Sequence, residues 1–234
     1  MLDLTSILTL SSLAMSVFTT PLEKRQEASG LIKECSPGKI ALTFDDGPSS
    51  DTTSQLLDDL LEADVKVTLF VIGQKVVENP EVLQRAYDEG HHIASHTFSH
   101  FNLNSLSDQE VQDEANKAAD AIDEVLGVRP KYIRCPYGSC DERVQNILFN
   151  MGYKVIDWNF DTLDWDTLNT EHLENIYENT LSVNSPESSG FISLQHDIHP
   201  TTVQAIPKVL EIIEKYNFEV TTVPECFGDT DLYF

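Results

Sequence analysis

The chain has 234 residues, of which 41% are hydrophobic and 23% are charged, a composition that excludes disordered and fibrous proteins. Its 15 Lys and Arg face 39 Asp and Glu, which gives a formal net charge of -24 at pH 7 and argues against nucleic acid or an anionic membrane as a partner. The length fits one α/β barrel domain.

The N-terminal segment predicts export. Residues 4–18 form an uncharged, largely apolar run. Because a bilayer-spanning helix needs about 20 apolar residues, this run is typical of a secretory signal. No basic residue precedes it, so a buried N-terminal helix is the alternative. Residues 21–25, PLEKR, resemble a dibasic pro-peptide site of fungal secreted proteins. We therefore assign residues 1–25 to a signal and pro-peptide, and residues 26–234 to one mature, secreted, extracellular domain.

The cysteines agree with export. Four Cys in an exported chain predict two disulfides, for which three pairings are open. Cys35 precedes the first predicted strand and Cys226 follows the last, so a bond between them would join the ends of the domain. Cys135 and Cys140 are close enough in the chain to close a tight loop. No CxxC pair occurs, which argues against a zinc-thiolate site.

From Lys39 onward, short β-rich runs alternate with amphipathic helical patterns. Strands are predicted at 40–44, 67–72, 92–95, 132–134, 154–158, 191–195 and 219–223. Several of these runs are continuously apolar, as strands buried on both faces must be. Ser107 and Glu110 form a capping box that begins the longest predicted helix, and Gly127 ends it. The pattern predicts a single-domain parallel α/β fold of about seven strands.

Polar clusters follow five of the predicted strands. They lie at 43–48, 95–100, 134–138, 161–165 and 196–197. In a barrel of parallel strands, the carboxyl ends of the strands share one rim, where active sites are built. We therefore expect these clusters to meet at one mouth.

A divalent metal site is predicted from Asp46, His96 and His100. The two histidines stand four residues apart in HTFSH, and one helical turn would place both rings on the same face. Histidine pairs at this spacing also occur by chance on surfaces. The carboxylate of Asp46 completes a three-ligand set suited to zinc, and also to cobalt or manganese.

Asp45 and Arg134 are expected beside that metal site. The DDGP segment is also an ordinary turn sequence. Two adjacent carboxylates after a buried strand repel each other unless a nearby cation compensates their charge. We therefore expect the two to have different roles: Asp46 binds the metal and Asp45 is free to accept a proton. Arg134 would orient Asp45, and a structural salt bridge is the alternative. Tyr137 has a backbone N–H that can bind an oxyanion.

His196 is a candidate general acid. A carboxylate at the same rim would raise its pKa and hold the ring protonated, and we favour Asp161 over Asp164 for that role. A lone buried histidine satisfied by hydrogen bonds is the alternative. Trp165 and Leu194 are interpreted as core residues or as walls of a pocket the size of a methyl group.

Five segments together resemble, in chain order, the motifs of the polysaccharide deacetylase family, also called carbohydrate esterase family 4. They are TFDDGP (43–48), HTFSH (96–100), RCPYG (134–138), DTLDW (161–165) and LQHD (194–197). The dibasic site, the cysteine placement and the ending TTVPECFGD look like the fungal secreted chitin deacetylases within that family. Cys135 stands where many members carry Pro, which leaves Arg134 and Tyr137 in place.

The resemblance implies a distorted (β/α) barrel with fewer than eight complete units, and it implies a role for each candidate residue. Asp46, His96 and His100 would hold one divalent metal ion, with zinc favoured over cobalt or manganese. Asp45 would be the general base, Arg134 its orienting partner, His196 the general acid and Asp161 the residue that tunes it. Trp165 and Leu194 would shape the acetyl pocket, and the Tyr137 backbone would support the oxyanion.

The activity that the resemblance implies is metal-dependent removal of N-acetyl groups from N-acetylglucosamine units of chitin or chito-oligosaccharides. We also expect the protein to be a monomer. Three alternatives stay open at this stage. One is an acetylxylan esterase of the same family, since the same centre can cleave acetate from oxygen, and another is a peptidoglycan deacetylase. The third is a catalytically inactive chitin-binding protein on this scaffold.

Overall fold

The computed structural model describes residues 30–234, so the signal and pro-peptide assigned to residues 1–25 lie outside the described residues. The strands are β1 (Lys39–Ala41), β2 (Thr43–Asp45), β3 (Thr68–Val71), β4 (His92–Ser95), β5 (Tyr132–Ile133), β6 (Lys154–Val155), β7 (Phe160–Asp161), β8 (Phe191–His196) and β9 (Glu219–Thr221). The helices are α1 (Thr52–Glu62), α2 (Gly73–Glu78), α3 (Pro80–Asp88), α4 (Asp108–Leu126), α5 (Glu142–Asn150), α6 (Asp164–Thr167), α7 (Thr170–Ser182), α8 (Pro200–Lys215) and α9 (Val223–Phe227).

The strands form a single parallel sheet that curls into a distorted barrel. Its order is β6-β5-β4-β3-β2-β8-β1-β9, and β7 pairs with β8. Every pairing between these strands is parallel. The predicted single-domain α/β barrel is confirmed, and the helices cover the outer face of the sheet.

The number of strands differs from the prediction for two local reasons. The run predicted at 40–44 divides into β1 and β2, because the chain changes partners at Leu42: β1 pairs with β8 and β9, whereas β2 pairs with β8 and β3. The two-residue strand β7, Phe160–Asp161, was not predicted. It is too short to produce a recognisable pattern in the sequence.

Side chains alternate between the inside of the barrel and its helical shell. Phe70, Ala94, Tyr132 and Ile192 come from four different strands and share one buried cluster, which is the barrel interior. Their neighbours along the strands, such as Ile93, pack outward in the large cluster that includes the helices. The strand residues are buried on both sides, which explains their continuously apolar runs.

Two disulfides are present, Cys35–Cys226 and Cys135–Cys140. Of the three open pairings, the structure therefore has the one that joins the two ends of the domain and closes the short loop. Cys35 and Cys226 belong to the same buried cluster as the barrel interior, together with Val223 of α9. A Cβ at Gly190, directly before β8, would lie 2.3 Å from the Cys35 carbonyl oxygen, and the Val223 backbone donates to Thr68 Oγ1 at the start of β3. The bond therefore lies at the amino-terminal ends of the strands, opposite the predicted mouth.

Helix α4 begins and ends where the sequence predicts. The Ser107 side chain accepts a hydrogen bond from the Glu110 backbone, the Glu110 carboxylate accepts one from the Ser107 backbone, and Gly127 ends the helix with φ 69°. Its buried face includes Val111, Glu114 and Ala118, which the helical period places on one side.

Within residues 30–234, no helix is both long and apolar enough to cross a membrane.

Candidate metal centre and active site

The structure brings Asp46, His96 and His100 together at the carboxyl ends of the strands. Asp46 follows β2 and His96 follows β4, and one ligand atom from each of the three residues lies within 4.8 Å of the others. Asp46 Oδ1 is 3.5 Å from His96 Nε2 and 3.2 Å from His100 Nε2. The three side chains therefore converge on one point, as a shared cation requires.

The segment that carries both histidines is not helical, so the expected helical turn is wrong. Thr97 has φ 66° and His100 has φ 58°, both in the left-handed region that a continuing α-helix excludes. The segment from 96 to 100 is instead a tight loop after β4. The two rings meet because this loop turns back on itself, with their centroids 4.9 Å apart.

The hydrogen bonds of both imidazoles leave Nε2 for a metal. His96 Nδ1 lies 2.9 Å from the Arg134 carbonyl oxygen, which only accepts, so Nδ1 carries the proton and Nε2 of the neutral ring carries a lone pair. Burial lowers the pKa of His96, against the opposing charges of Asp45 and Asp46, and so favours the neutral ring. His100 Nδ1 pairs with the Tyr137 hydroxyl at 3.1 Å.

The donor set fits a zinc-type ion. Asp46 Oδ1 is buried and has no hydrogen-bond partner, although a buried carboxylate oxygen without a partner is costly. Burial by itself would raise the pKa of Asp46, but the nearby imidazoles outweigh it and lower the pKa to about 2. Two imidazole nitrogens and one carboxylate form the ligand set of many catalytic zinc sites, which keep a further position for water.

Asp45 and Arg134 form a buried pair beside this centre. Arg134 Nη1 donates to Asp45 Oδ1 at 2.7 Å and to Thr43 Oγ1 at 2.7 Å, and the guanidinium stacks on the Phe70 ring with its carbon 4.1 Å from the centroid. Asp45 Oδ2 faces His96 Nε2 at 3.7 Å. One oxygen of Asp45 is thus held by Arg134, and the other points towards the metal ligands.

The carboxylate that contacts His196 belongs to Asp164, so the expectation that named Asp161 is wrong. Asp164 Oδ1 lies 2.9 Å from His196 Nδ1, and Asp164 Oδ2 accepts from the His196 backbone at 2.7 Å and from Thr202 Oγ1 at 2.7 Å. Asp161 Oδ1 instead accepts from the Leu163 backbone at 2.9 Å. Leu163 adopts φ 55°, and this turn directs Asp164, rather than Asp161, at His196.

The environment of His196 favours its protonated form. Burial lowers the pKa of His196, but the hydrogen bond and charge of Asp164, together with the charges of Asp45 and Asp46, outweigh it and raise the pKa to about 9. Asp164 is itself buried and accepts three hydrogen bonds. His196 is therefore held as a proton donor at neutral pH.

A pocket of about 400 Å³ opens over these groups. Its lining comprises Asp45, Asp46, His96, His100, Cys135, Tyr137, Trp158, Asp161, Trp165, Leu194, His196, Ile198 and His199. Leu194 is buried, whereas Trp165 and Tyr137 are 51% and 68% exposed, so Trp165 is a wall of the pocket rather than a core residue. Three lining residues were missed from the sequence, Trp158, Ile198 and His199, because none of them stands in a recognisable motif.

Asp197 is a further residue whose position the sequence did not reveal. It is buried next to His196, its Oδ2 accepts from Thr53 Oγ1 at 2.5 Å, and a Cβ added to Gly47 would lie 2.1 Å from the same oxygen. Gly47 is therefore required where the chain passes this carboxylate directly after Asp46. Burial raises the pKa of Asp197 to about 7. Its presence in LQHD was the only available signal.

Size alone does not identify the site. A larger depression, of about 880 Å³, lies between α1 and α8, and its lining contains five carboxylates but no His, Lys or Arg. It offers no set of ligands around one point and no pair of acid and base. The chemistry is confined to the smaller pocket at the carboxyl ends of the strands.

Comparison with known proteins agrees with this geometry. The family model described as "Polysaccharide deacetylase" matches residues 33–156. A chitin deacetylase from Colletotrichum lindemuthianum is 37% identical over 230 residues, which cover 94% of this chain and 92% of that protein. The chain belongs to the polysaccharide deacetylase family.

A solved structure and a bacterial relative are also similar to this chain. The solved structure of the chitin deacetylase from Colletotrichum lindemuthianum superposes with a TM-score of 0.84 at 35% identity, covering 88% of this chain and 96% of that one. A peptidoglycan-N-acetylglucosamine deacetylase from Listeria monocytogenes is 34% identical over 220 residues. This chain spans only 45% of the length of that Listeria protein.

Proposed function

We propose that this protein is a secreted, metal-dependent chitin deacetylase, which hydrolyses the N-acetyl groups of N-acetylglucosamine units and leaves glucosamine units in the polymer. The proposal joins the family membership to the chemistry of the pocket. Its two disulfides are typical of proteins that fold in oxidising compartments. The similarity to the Colletotrichum lindemuthianum chitin deacetylase supports chitin as the substrate.

The observation that carries the proposal is the placement of a base and an acid on neighbouring strands beside one metal site. Asp45 of β2 and His196 of β8 are directly paired in the parallel register. Asp45 is held by the guanidinium of Arg134, and His196 is held protonated by Asp164. Hydrolysis of an amide requires one group that accepts a proton and another that donates one in the same pocket.

Asp46, His96 and His100 would hold a divalent cation, which would supply Lewis acidity for the hydrolysis of the acetamide. Zinc suits the two nitrogen donors and one oxygen donor best, with cobalt or manganese as alternatives. Asp45 takes the proton of the attacking water on Oδ2, the oxygen that faces the ligands, while Arg134 keeps Oδ1 fixed.

The remaining residues bind the acetyl group and release the amine. The backbone N–H of Tyr137 supports the negative oxygen that develops on the carbonyl carbon. Leu194 and Trp165 enclose the methyl group, since both line the pocket. His196 then donates its proton to the departing sugar nitrogen, and Asp164 stabilises the ring throughout. Acetate and a glucosamine unit are the products.

The substrate is tested by measuring acetate released from chito-oligosaccharides, acetylated xylan and peptidoglycan, each with and without a chelator. We expect chelator-sensitive release from the chito-oligosaccharides. Release confined to acetylated xylan or to peptidoglycan would replace chitin with that substrate. Binding of chito-oligosaccharides without any release would support an inactive chitin-binding protein.

Asp45→Asn is the matched variant for this experiment. It keeps an oxygen that accepts from Arg134 but removes the base, so we expect kcat to fall by about 10²-fold or more with metal binding retained. Metal content measured by mass spectrometry and acetate release together check this outcome. Full activity of the folded, metal-loaded variant would remove Asp45 from the role of base.

A further inference from the structure

Glu114 is a buried carboxylate that none of the motifs contains. It lies on α4, and only 6% of the residue is exposed. In the part of the chain that the structure describes, it forms no ion pair with Lys or Arg. A buried carboxylate without a cation is costly unless hydrogen bonds replace its hydration. The hydrogen bonds of Glu114 therefore indicate its role.

Those contacts are made to the loop between the two metal-site histidines. Glu114 Oε2 accepts from the backbone N–H of Phe98 at 3.1 Å and from that of Ser99 at 2.7 Å. Hydrogen bonds from backbone donors to a carboxylate are among the stronger ones in proteins. One oxygen of Glu114 thus binds two consecutive amides in the middle of the loop.

The opposite side of the same loop is bound by α2. The carbonyl oxygens of Thr97 and Phe98 accept from the backbone N–H groups of Gly73 and Gln74 at 2.9 and 3.0 Å. A Cβ at Gly73 would lie 2.5 Å from Phe98 Cδ2, so α2 and the loop are in close contact. With its carbonyls on α2 and its amides on Glu114, the loop is held from both sides.

This arrangement affects the two histidines unequally. The His96 backbone donates to Val71 at 2.8 Å and its ring bonds to the Arg134 carbonyl, so His96 is fixed by the strands themselves. His100 is at the far end of the loop, with φ 58°, and its ring contacts the exposed Tyr137 hydroxyl. The position of His100 therefore depends on the loop conformation that Glu114 stabilises.

We propose that Glu114 is a positioning residue of the metal site, which fixes His100 relative to Asp46 and His96 and thereby sets the affinity for the metal. The inference rests on the proposed metal site but not on which polymer is the substrate. Partners that hold metal ligands in place typically change metal affinity by about 10- to 100-fold when they are removed. A carboxylate that only anchored α4 would not have this effect.

The test compares Glu114→Ala, Glu114→Gln and the control Glu110→Ala on the full chain. Glu110 lies one turn earlier on the same helix, where its carboxylate belongs to the exposed capping box. Its replacement weakens the helix without touching the loop. The dissociation constant for Zn²⁺ is measured by competition with a chromophoric chelator, and the Co²⁺-loaded proteins are compared by their visible absorption spectra.

We expect Glu114→Ala to raise the Zn²⁺ dissociation constant by about 10- to 100-fold and to alter the Co²⁺ spectrum. Glu114→Gln keeps a neutral acceptor oxygen, so we expect a smaller rise and the unaltered spectrum. Glu110→Ala should bind Zn²⁺ like the unsubstituted protein. If Glu114→Ala does not fold, a dissociation constant for Glu114→Gln above that of Glu110→Ala supports the proposal.

Equal dissociation constants for the Glu114 variants and the unsubstituted protein would overturn the positioning role. So would an equal loss of affinity in Glu110→Ala, because the effect would then follow the stability of the helix. The metal titration uses no substrate, so it separates this inference from the proposed function. A chain that binds no metal at all would instead contradict the proposed function itself.

Discussion

Two buried histidines lie at the two ends of strand β4, His92 as its first residue and His96 directly after its last, and only His96 belongs to the candidate metal site. His92, at the amino-terminal end, has Nδ1 3.2 Å from Thr68 Oγ1, and its ring packs edge-on against Tyr132 at 4.8 Å. His96, directly after the carboxyl end, faces the carboxylates of Asp45 and Asp46 at 3.7 and 3.5 Å. Burial lowers the pKa of both rings, that of His92 to about 3.

The difference lies in the neighbours rather than in the residue type or its burial. The amino-terminal end of the barrel is closed by α9 and by the Cys35–Cys226 disulfide, and there the His92 ring packs against the rings of Tyr132 and Tyr233. The carboxyl end is open, and polar loops from several strands meet there. A neutral buried imidazole is a structural residue in the first environment and a candidate metal ligand in the second.

The largest expected effect comes from removing the disulfide at the closed, amino-terminal end of the barrel. The Cys35–Cys226 bond spans a sequence separation of 191 residues, and replacing both cysteines by Ala should reduce the free energy of unfolding by about 5 kcal/mol on the chain-entropy estimate. We expect KM and metal affinity to stay unchanged, because the bond is remote from the pocket. Denaturant unfolding and steady-state kinetics check this separation. A changed KM in the folded variant would show that the two ends are coupled.

Replacing the histidine at the open end should abolish the chemistry. His96→Ala removes one of three ligands, and we expect acetate release to fall by at least about 10³-fold, since metal stabilisation of the reaction is worth several kcal/mol. Metal content after dialysis should fall in parallel. If His96→Ala retained a full equivalent of metal and normal activity, the assignment of the open end as the metal site would be lost.

The pH dependence of the activity tests the role of His196 at the open end of the barrel. His196 must be protonated to act, so activity should be present below its pKa of about 9 and lost as the pH rises through that value. Asp164→Asn removes the charge that raises this pKa, and the alkaline limit should move down by about 1–3 pH units. The pH profile of kcat measures the shift.

Asp161→Asn is the control for that profile. Its carboxylate accepts from the Leu163 backbone rather than from His196, so the alkaline limit should stay where it is. A profile in which Asp161→Asn moves the limit and Asp164→Asn does not would restore the partner that the sequence favoured.

The smallest effect concerns the histidine at the closed end. His92 titrates at about 3 in the folded chain and near 6.5 when unfolded. The unfolded state therefore binds more protons between these values, and stability falls as the pH drops through this window. His92→Phe removes that term, so the loss of stability between about pH 6.5 and about pH 4.5 should be smaller by about 2–3 kcal/mol.

Denaturant unfolding of His92→Phe at both pH values, together with its kcat at neutral pH, provides the measurement. We expect kcat to be unchanged. An unfolding free energy that depends on pH as steeply as in the unsubstituted protein would mean that groups other than His92 carry the acid sensitivity.

Much of the candidate site was predictable because its residues are local to strand ends. Apolar runs indicated parallel strands, and the polar segments that followed them had to share one rim. Asp46, His96 and His100 were recognised from residue type and spacing, and Asp45 and Arg134 from their position beside them. The capping box of Ser107 and Glu110 also followed from sequence alone, because a cap involves only residues three apart.

The chain's own sequence thus determined which strand ends carry the motifs, the parallel α/β architecture and the residue types proposed as ligands, base and acid. Tertiary structure alone decided which carboxylate meets His196, how the loop from 96 to 100 turns, and that Glu114 holds it. The physical reason is that periodicity and spacing report contacts within a few residues. A hydrogen bond between distant segments depends on backbone turns, such as that at Leu163, which are set by the packing of the whole fold.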